Sequence, residues 1–87
     1  MFDLGQVVAT PAALELLAES GIEYSELLCR HHSLESPELD EDDRQANQWA
    51  IKNGDRVLSR YTVNGVTLYI ITEWDRSYTT ILLAEEY

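Results

Sequence analysis

Asn64-Gly65 stands between two runs rich in β-branched and aromatic residues, Val57–Val63 and Val66–Thr72. A two-residue Asn-Gly link in that setting is the strongest short-range signal for a β-hairpin, and it leaves a single register. Val63 then faces Val66, Tyr61 faces Leu68, Ser59 faces Ile70 and Val57 faces Thr72 on the side that the alternation marks as core. Arg56 opposite Glu73, Arg60 opposite Tyr69 and Thr62 opposite Thr67 fall on the other side, where water suits them. A tight turn at Trp74–Ser77 returns the chain as a third strand, Tyr78–Ala84, which sets Ile81 beside Ile70 and Leu83 beside Leu68.

Before residue 54 the period is helical. Gln6-Val7-Val8-Ala9 is a short extended segment, and Thr10-Pro11 supplies an N-cap followed by proline at the first helical position. Leu14, Leu17 and Ala18 form the apolar face of a first helix, Pro11–Ser20, and Gly21 ends it with Ile22 placed to pack back. A second helix, Tyr24–His32, carries Leu27, Leu28 and His31 inward. Residues 33–39 contain Pro37 and no periodicity, so they read as loop. Asp40, with Asp43 three residues on, resembles a capping box, and Asn53-Gly54 is a stop signal, which bounds a third helix at Glu41–Lys52. Ala46, Trp49 and Ala50 make its expected buried stripe, and replacing a buried Trp49 by Ala would cost about 3 to 5 kcal/mol. The fold class is therefore α+β, one domain over 1–87. Two or three N-terminal helices (1–53) pack on one face of a C-terminal three-stranded antiparallel meander (55–87).

Composition narrows the function. Eighty-seven residues with a formal charge of −10 disfavour direct binding of nucleic acid or an anionic membrane and favour a basic protein partner. The charge is unevenly placed: residues 1–43 hold eleven acids and one base, Arg30, whereas residues 44–87 hold five of each. No run approaches the roughly 18 apolar residues of a membrane span, and Met1-Phe2-Asp3-Leu4 lacks the basic start of a signal peptide. A single cysteine, Cys29, excludes an internal disulfide and a thiolate zinc cage, and fits a reducing cytoplasm.

Four constellations carry potential chemistry. Glu35, Glu38, Asp40, Glu41, Asp42 and Asp43 place six carboxylates in nine residues across a loop and a helix start. Acids in a first helical turn complement its dipole, each by about 0.3 to 1 kcal/mol, but six close together repel one another. Their display suits a Lys and Arg groove that a phosphate backbone would otherwise fill. Glu73, Asp75 and Arg76, with Ser77, Tyr78 and Thr80, crowd the second turn; they read as a salt-bridged turn, a recognition patch, or part of a general acid/base site with Arg56 and Arg60. Cys29 and His32 are three apart on one helix, beside His31, yet no third metal ligand is marked. Leu58, Tyr69, Ile71 and Leu82 share the outer sheet face and form an apolar patch, either covered by the Val7-Val8 segment or used as a partner or homodimer surface. No glycine-rich phosphate loop or serine nucleophile motif occurs, and no cofactor is implied.

Nearly the whole chain resembles a group of short bacterial proteins of the plasmid-related type, associated with mobile elements. The resemblance rests on Val8-Ala9-Thr10-Pro11, Glu26-Leu27-Leu28 with Arg30-His31, Leu39-Asp40 with Asp43-Arg44 and Asn47, and the tail Ile70-Ile71-Thr72-Glu73, Asp75-Arg76-Ser77, Thr79-Thr80, Leu82-Leu83 and Glu85-Glu86-Tyr87. Ala84 and Tyr24 stand where that group usually has proline. The resemblance implies a mobile-element context and supplies no activity. The expected function is a non-enzymatic acidic inhibitor or regulator that mimics nucleic acid on a basic partner. Its expected contacts are Glu35, Glu38, Asp40, Glu41, Asp42, Asp43, Glu73, Asp75 and Arg76. The alternative is a small metal-independent ribonuclease of the toxin type using Glu73 and nearby arginines.

Overall fold

A computed structural model describes residues 3–33 and 41–87. The chain runs β1 (Gln6–Ala9), α1 (Pro11–Ser20), α2 (Tyr24–His32), α3 (Glu41–Asn53), β2 (Val57–Val63), β3 (Val66–Thr72), β4 (Tyr78–Leu83) and a closing 3-10 turn, Ala84–Glu86. The local signals act as expected. The Thr10 side chain accepts from the Ala13 N–H at 3.2 Å, Gly21 takes the left-handed conformation that ends α1, and the Ile22 N–H reaches back to the Leu17 carbonyl at 3.2 Å. Asn64 and Gly65 both have positive φ, as a type I′ turn requires.

The hairpin register is the one the alternation dictates, Val57↔Thr72 through Val63↔Val66, and β4 adds to β3 with Ile70↔Ile81 and Leu68↔Leu83. The sheet, however, has four strands in the order β1-β4-β3-β2, with β1 parallel to β4. The expected three-stranded meander is thus extended. Gly5 makes this possible: its φ is +66°, and a Cβ there would lie 2.4 Å from the Arg76 carbonyl oxygen. The chain passes so close to the β3–β4 turn that Gln6 N–H donates to the Ser77 carbonyl at 3.1 Å, and Thr10 N–H closes the other end of the strand on the Ile81 carbonyl at 3.0 Å. The Val7-Val8 segment therefore extends the sheet at its edge and does not lie across its outer face.

Helices α1 and α2 pack on the face that carries Tyr61, Val63, Leu68, Ile70, Ile81 and Leu83, contributing Ala13, Leu17, Leu27 and Leu28. Two expected faces are rotated. On α1 Ala13 and Leu17 are buried while Leu14 and Ala18 are exposed. On α3 Asn47 and Ala50 are buried, whereas Ala46 is exposed and Trp49 is 58% exposed. The reason for the second rotation is that α3 meets β2. The Asn47 amide donates to the Leu58 carbonyl at 2.5 Å and accepts from the Leu58 N–H at 2.9 Å, so it pairs with the backbone as a neighbouring strand would. Ala50 and Val57, with Leu4 and Ile51 beside them, form a second small apolar cluster there. On the outer face Ile71 is buried and Leu58, Tyr69 and Leu82 are half-buried, so the expected apolar patch is less open than its composition suggests. No helix among the described residues is long and apolar enough to cross a membrane.

Candidate functional site

The described carboxylates of the acidic half face outward. Glu15 and Glu19 on α1, Glu23 and Glu26 at the start of α2, and Glu41 and Asp42 at the start of α3 are all exposed. Glu26 carries an i, i+4 pair with Arg30 at 3.4 Å, on a surface where such pairs contribute little. Of the six clustered acids expected to bind a partner, Glu41 and Asp42 stand in the first turn of α3. Glu35, Glu38, Asp40 and the Asp43 side chain lie outside the described residues, and so does the capping box inferred from Asp40 and Asp43.

The second turn is a built corner. Arg76 has φ +59°, uncommon for a non-glycine residue. Its guanidinium turns back to hold three main-chain carbonyls: Asp55, Glu73 (3.1 Å) and Ala50 (3.1 Å). One side chain thus joins the C-terminal turn of α3, the entry to β2 and the end of β3. Asp75 accepts from the Ser77 hydroxyl at 2.6 Å and the Ser77 N–H at 3.1 Å, and these donors, the hydroxyl first, hold its carboxyl below the usual carboxylate range. Asp55 is fixed similarly, accepting from the Arg56 N–H at 2.8 Å. Trp49 precedes Ala50 and Trp74 follows Glu73 in the chain, and both are among the most exposed large apolar residues, Trp74 at 63%. The guanidinium of Arg76, expected to meet a partner directly, is engaged with these carbonyls.

Glu73 belongs to a different group, on the outer sheet face. Its carboxylate pairs with Arg56 at 3.5 Å, the cross-strand neighbour expected from the hairpin register. Arg56 also donates to the Tyr87 hydroxyl at 3.4 Å and lies 6.0 Å from that ring's centre. Tyr87 meets Tyr69 edge-on at 5.6 Å between ring centroids. The chain end is held there by Glu86, whose carboxylate accepts from the Thr10 hydroxyl at 2.7 Å and the Leu83 N–H at 2.9 Å. Of the nine expected contact residues, Glu41 and Asp42 stand at a helix start, Asp75 and Arg76 at the corner, and Glu73 beside it with its carboxylate on the outer face.

The buried centre holds a polar chain that crosses three strands. His31 Nδ1 lies 2.7 Å from Ser59 Oγ and its Nε2 2.8 Å from Thr72 Oγ1. Thr72 Oγ1 meets Thr79 Oγ1 at 2.7 Å, and Thr79 donates to the Leu4 carbonyl at 2.6 Å. A carbonyl only accepts, which sets the direction of the chain. Thr79 gives its proton to Leu4 and so accepts from Thr72, and Thr72 in turn accepts from His31 Nε2–H. That leaves Nδ1 to accept from Ser59, so His31 is the neutral Nε2–H tautomer. Burial above all, with His32 adding to it, lowers its pKa to about 4. All four side chains are fully buried. Along β2 this polar row interrupts the core face between Val57 and Tyr61. Its role is structural.

Cys29 is exposed, and with His32, Asp3, Ser25 and Arg76 it lines a cavity of about 780 Å³ between α2 and the Asp3–Gly5 segment. The two residues expected to share a helix face do line one cavity, yet among the described residues no group of three His, Cys, Asp or Glu side chains is placed to hold a metal ion. Comparison of the chain with protein-family models, with curated proteins and with solved structures gives no match.

Proposed function

We propose that this chain is an acidic binding module that docks on a basic, nucleic-acid-binding protein by presenting carboxylates in place of phosphates, serving a bacterial mobile element as an inhibitor or regulator. The observation that carries this reading is the outward display of Glu15, Glu19, Glu23, Glu26, Glu41 and Asp42 from three helices of a half that holds one base among residues 1–43. Several arginines of the molecule are engaged close to home: Arg30 with Glu26, Arg56 with Glu73, and Arg76 with main-chain carbonyls. A field of this sign raises the encounter rate with a basic groove and weakens as salt screens it. The test is recovery of partners on the immobilised chain from a bacterial lysate, followed by elution with duplex DNA or with salt. Mimicry requires that DNA release the partners; retention in excess DNA and at high ionic strength would contradict it.

A second reading, catalysis on RNA, is favoured by one arrangement: Glu73, Arg56 and the Tyr87 hydroxyl converge on the outer face beside Tyr69. A carboxylate and a guanidinium at that spacing are the elements of general acid/base work with phosphate stabilisation. His31 is no part of it, being sealed in the core. Glu73→Gln abolishing cleavage of single-stranded RNA by the purified chain would establish this reading; absence of cleavage by the wild type removes it.

A further inference from the structure

The two edges of the sheet are treated differently. At β2 the Asn47 amide takes both the N–H and the carbonyl of Leu58, so part of that edge is occupied. The other edge is β1, and it is open. Gln6 N–H donates to the Ser77 carbonyl at one end of this strand, and Thr10 N–H to the Ile81 carbonyl at the other. Because successive residues of a strand point opposite ways, Gln6, Val8 and Thr10 direct their backbone groups at β4, and Val7 and Ala9 direct theirs outward. No backbone meets Val7 or Ala9 on that side among the described residues. The strand reads Gln6-Val7-Val8-Ala9, with no charge, proline or bulge to discourage a further strand, and its shortness is the one protection it has. The outer face also stops there in mid-row. Leu58, Ile71, Thr80 and Val8 lie side by side across the four strands, and Val8 ends the row at the edge, 39% exposed.

We infer that the open edge of β1 receives an extended segment of a basic protein partner as a fifth strand, with a β-branched residue beside Val8 and lysine or arginine at its ends. The inference rests on the proposed basic partner and adds the element that takes it up. Main-chain hydrogen bonds to Val7 and Ala9 supply the attachment, and the side chain beside Val8 continues the apolar row. Charge selects the occupant. Each end of β1 is marked by an exposed carboxylate held through a hydrogen bond. Asp75 accepts from the hydroxyl of Ser77, whose carbonyl takes Gln6 N–H, and Glu86 accepts from the hydroxyl of Thr10. A second copy pairing edge to edge, in either direction, sets carboxylate against carboxylate on chains of charge −10. A strand with basic ends meets opposite charge at both. The Arg76 guanidinium is turned elsewhere, to the carbonyls of Ala50 and of Asp55 at the entry to β2.

The probe is a fluorescein-labelled peptide of alternating valine and threonine with two lysines at each end, titrated into the intact chain at low ionic strength. Two peptides of the same core are the controls, one ending in glutamates and one N-methylated throughout the core. Anisotropy measures binding, and amide hydrogen exchange followed by NMR locates it. The lysine peptide should bind and slow exchange of the Val7 and Ala9 amides about tenfold or more, and the glutamate peptide should not bind. N-methylation should weaken affinity about tenfold or more, since it removes the donors of the added strand. Val7→Pro removes an outward N–H and no bond to β4, so the fold should be kept while affinity falls about tenfold. Binding that leaves exchange at Val7 and Ala9 unchanged and is indifferent to N-methylation would overturn the edge while sparing the acidic-module reading, because charge alone would then account for it. Equal binding of the lysine and glutamate peptides would overturn the basic occupant. Protection of the same two amides by self-association of the chain would assign the edge to a second copy, against the inference. If the lysine peptide fails to bind although the chain displaces duplex DNA from a recovered basic partner, the edge alone is overturned; if neither occurs, both readings fall.

Discussion

His31 shows how one residue can fix the chemistry of a core. Its two nitrogens tie β2 to β3, and the hydroxyl chain beyond Thr72 carries the connection to β4 and the Leu4 carbonyl. Neutrality is built in, and stability should depend on pH accordingly. The folded pKa, about 4, lies below the unfolded value of 6.5. The unfolded chain therefore binds more protons between those values, and the contribution is full above pH 6.5 and lost as pH falls through about 4. Its size is on the order of 3 kcal/mol. Nitrogen-15 NMR of the folded chain should show the neutral Nε2–H tautomer down to about pH 5, with a midpoint near 4; an ordinary midpoint near 6.5 would remove the polar chain. Gly5 is the other residue whose chemistry cannot be exchanged. In Gly5→Ala the added methyl would meet two main-chain oxygens, those of Arg76 and Ser77, at 2.4 and 2.5 Å, in a backbone conformation that is itself unfavourable. A loss of roughly 2 kcal/mol or more in urea denaturation is expected.

Among the elements, α3 departs most from what its sequence suggests, and Asn47 explains why. An Asn-bearing stripe reads as polar from sequence alone, so the larger Trp49 attracts the inward assignment; the backbone groups that Asn47 satisfies belong to a strand eleven residues away and have no local signature. Trp49→Ala should accordingly change stability by less than about 1 kcal/mol. Asn47→Ala should cost about 2 kcal/mol or more, since it removes two hydrogen bonds and orphans the Leu58 N–H and carbonyl. Chemical denaturation of the two variants checks both, and the reverse order would restore the stripe through Trp49. The hairpin, by contrast, was legible down to each pair, because Asn64-Gly65 and strict alternation leave one register. The parallel β1–β4 pairing was not, since four residues carry little periodicity and the deciding feature, a close approach at Gly5, is visible only once the Trp74–Ser77 turn exists in space. The candidate site divides similarly. Glu73 facing Arg56 follows from the register, whereas the inward turn of Arg76 depends on three segments meeting.

At the scale of the whole molecule the central property is asymmetry of charge: −10 over residues 1–43 and zero over residues 44–87. The described helical carboxylates face outward, while in the sheet half Arg56 pairs with Glu73 and Arg76 with main-chain carbonyls. If the chain acts as a polyanion mimic, binding should reside in the helical half and be separable from the fold. The most direct measurement compares the wild-type chain with a variant carrying Asp40→Asn, Glu41→Gln, Asp42→Asn and Asp43→Asn, each tested for its ability to displace duplex DNA from a recovered basic partner. Asparagine is as good an N-cap residue as aspartate, so the cap expected from the sequence at position 40 tolerates the exchange and the circular dichroism spectrum should be unchanged. Mimicry predicts that the wild type displaces DNA at low salt and that the neutralised variant, equally folded, does not. Equal displacement by both would remove the 40–43 cluster as the binding site, and failure of the wild type to displace DNA would contradict mimicry itself.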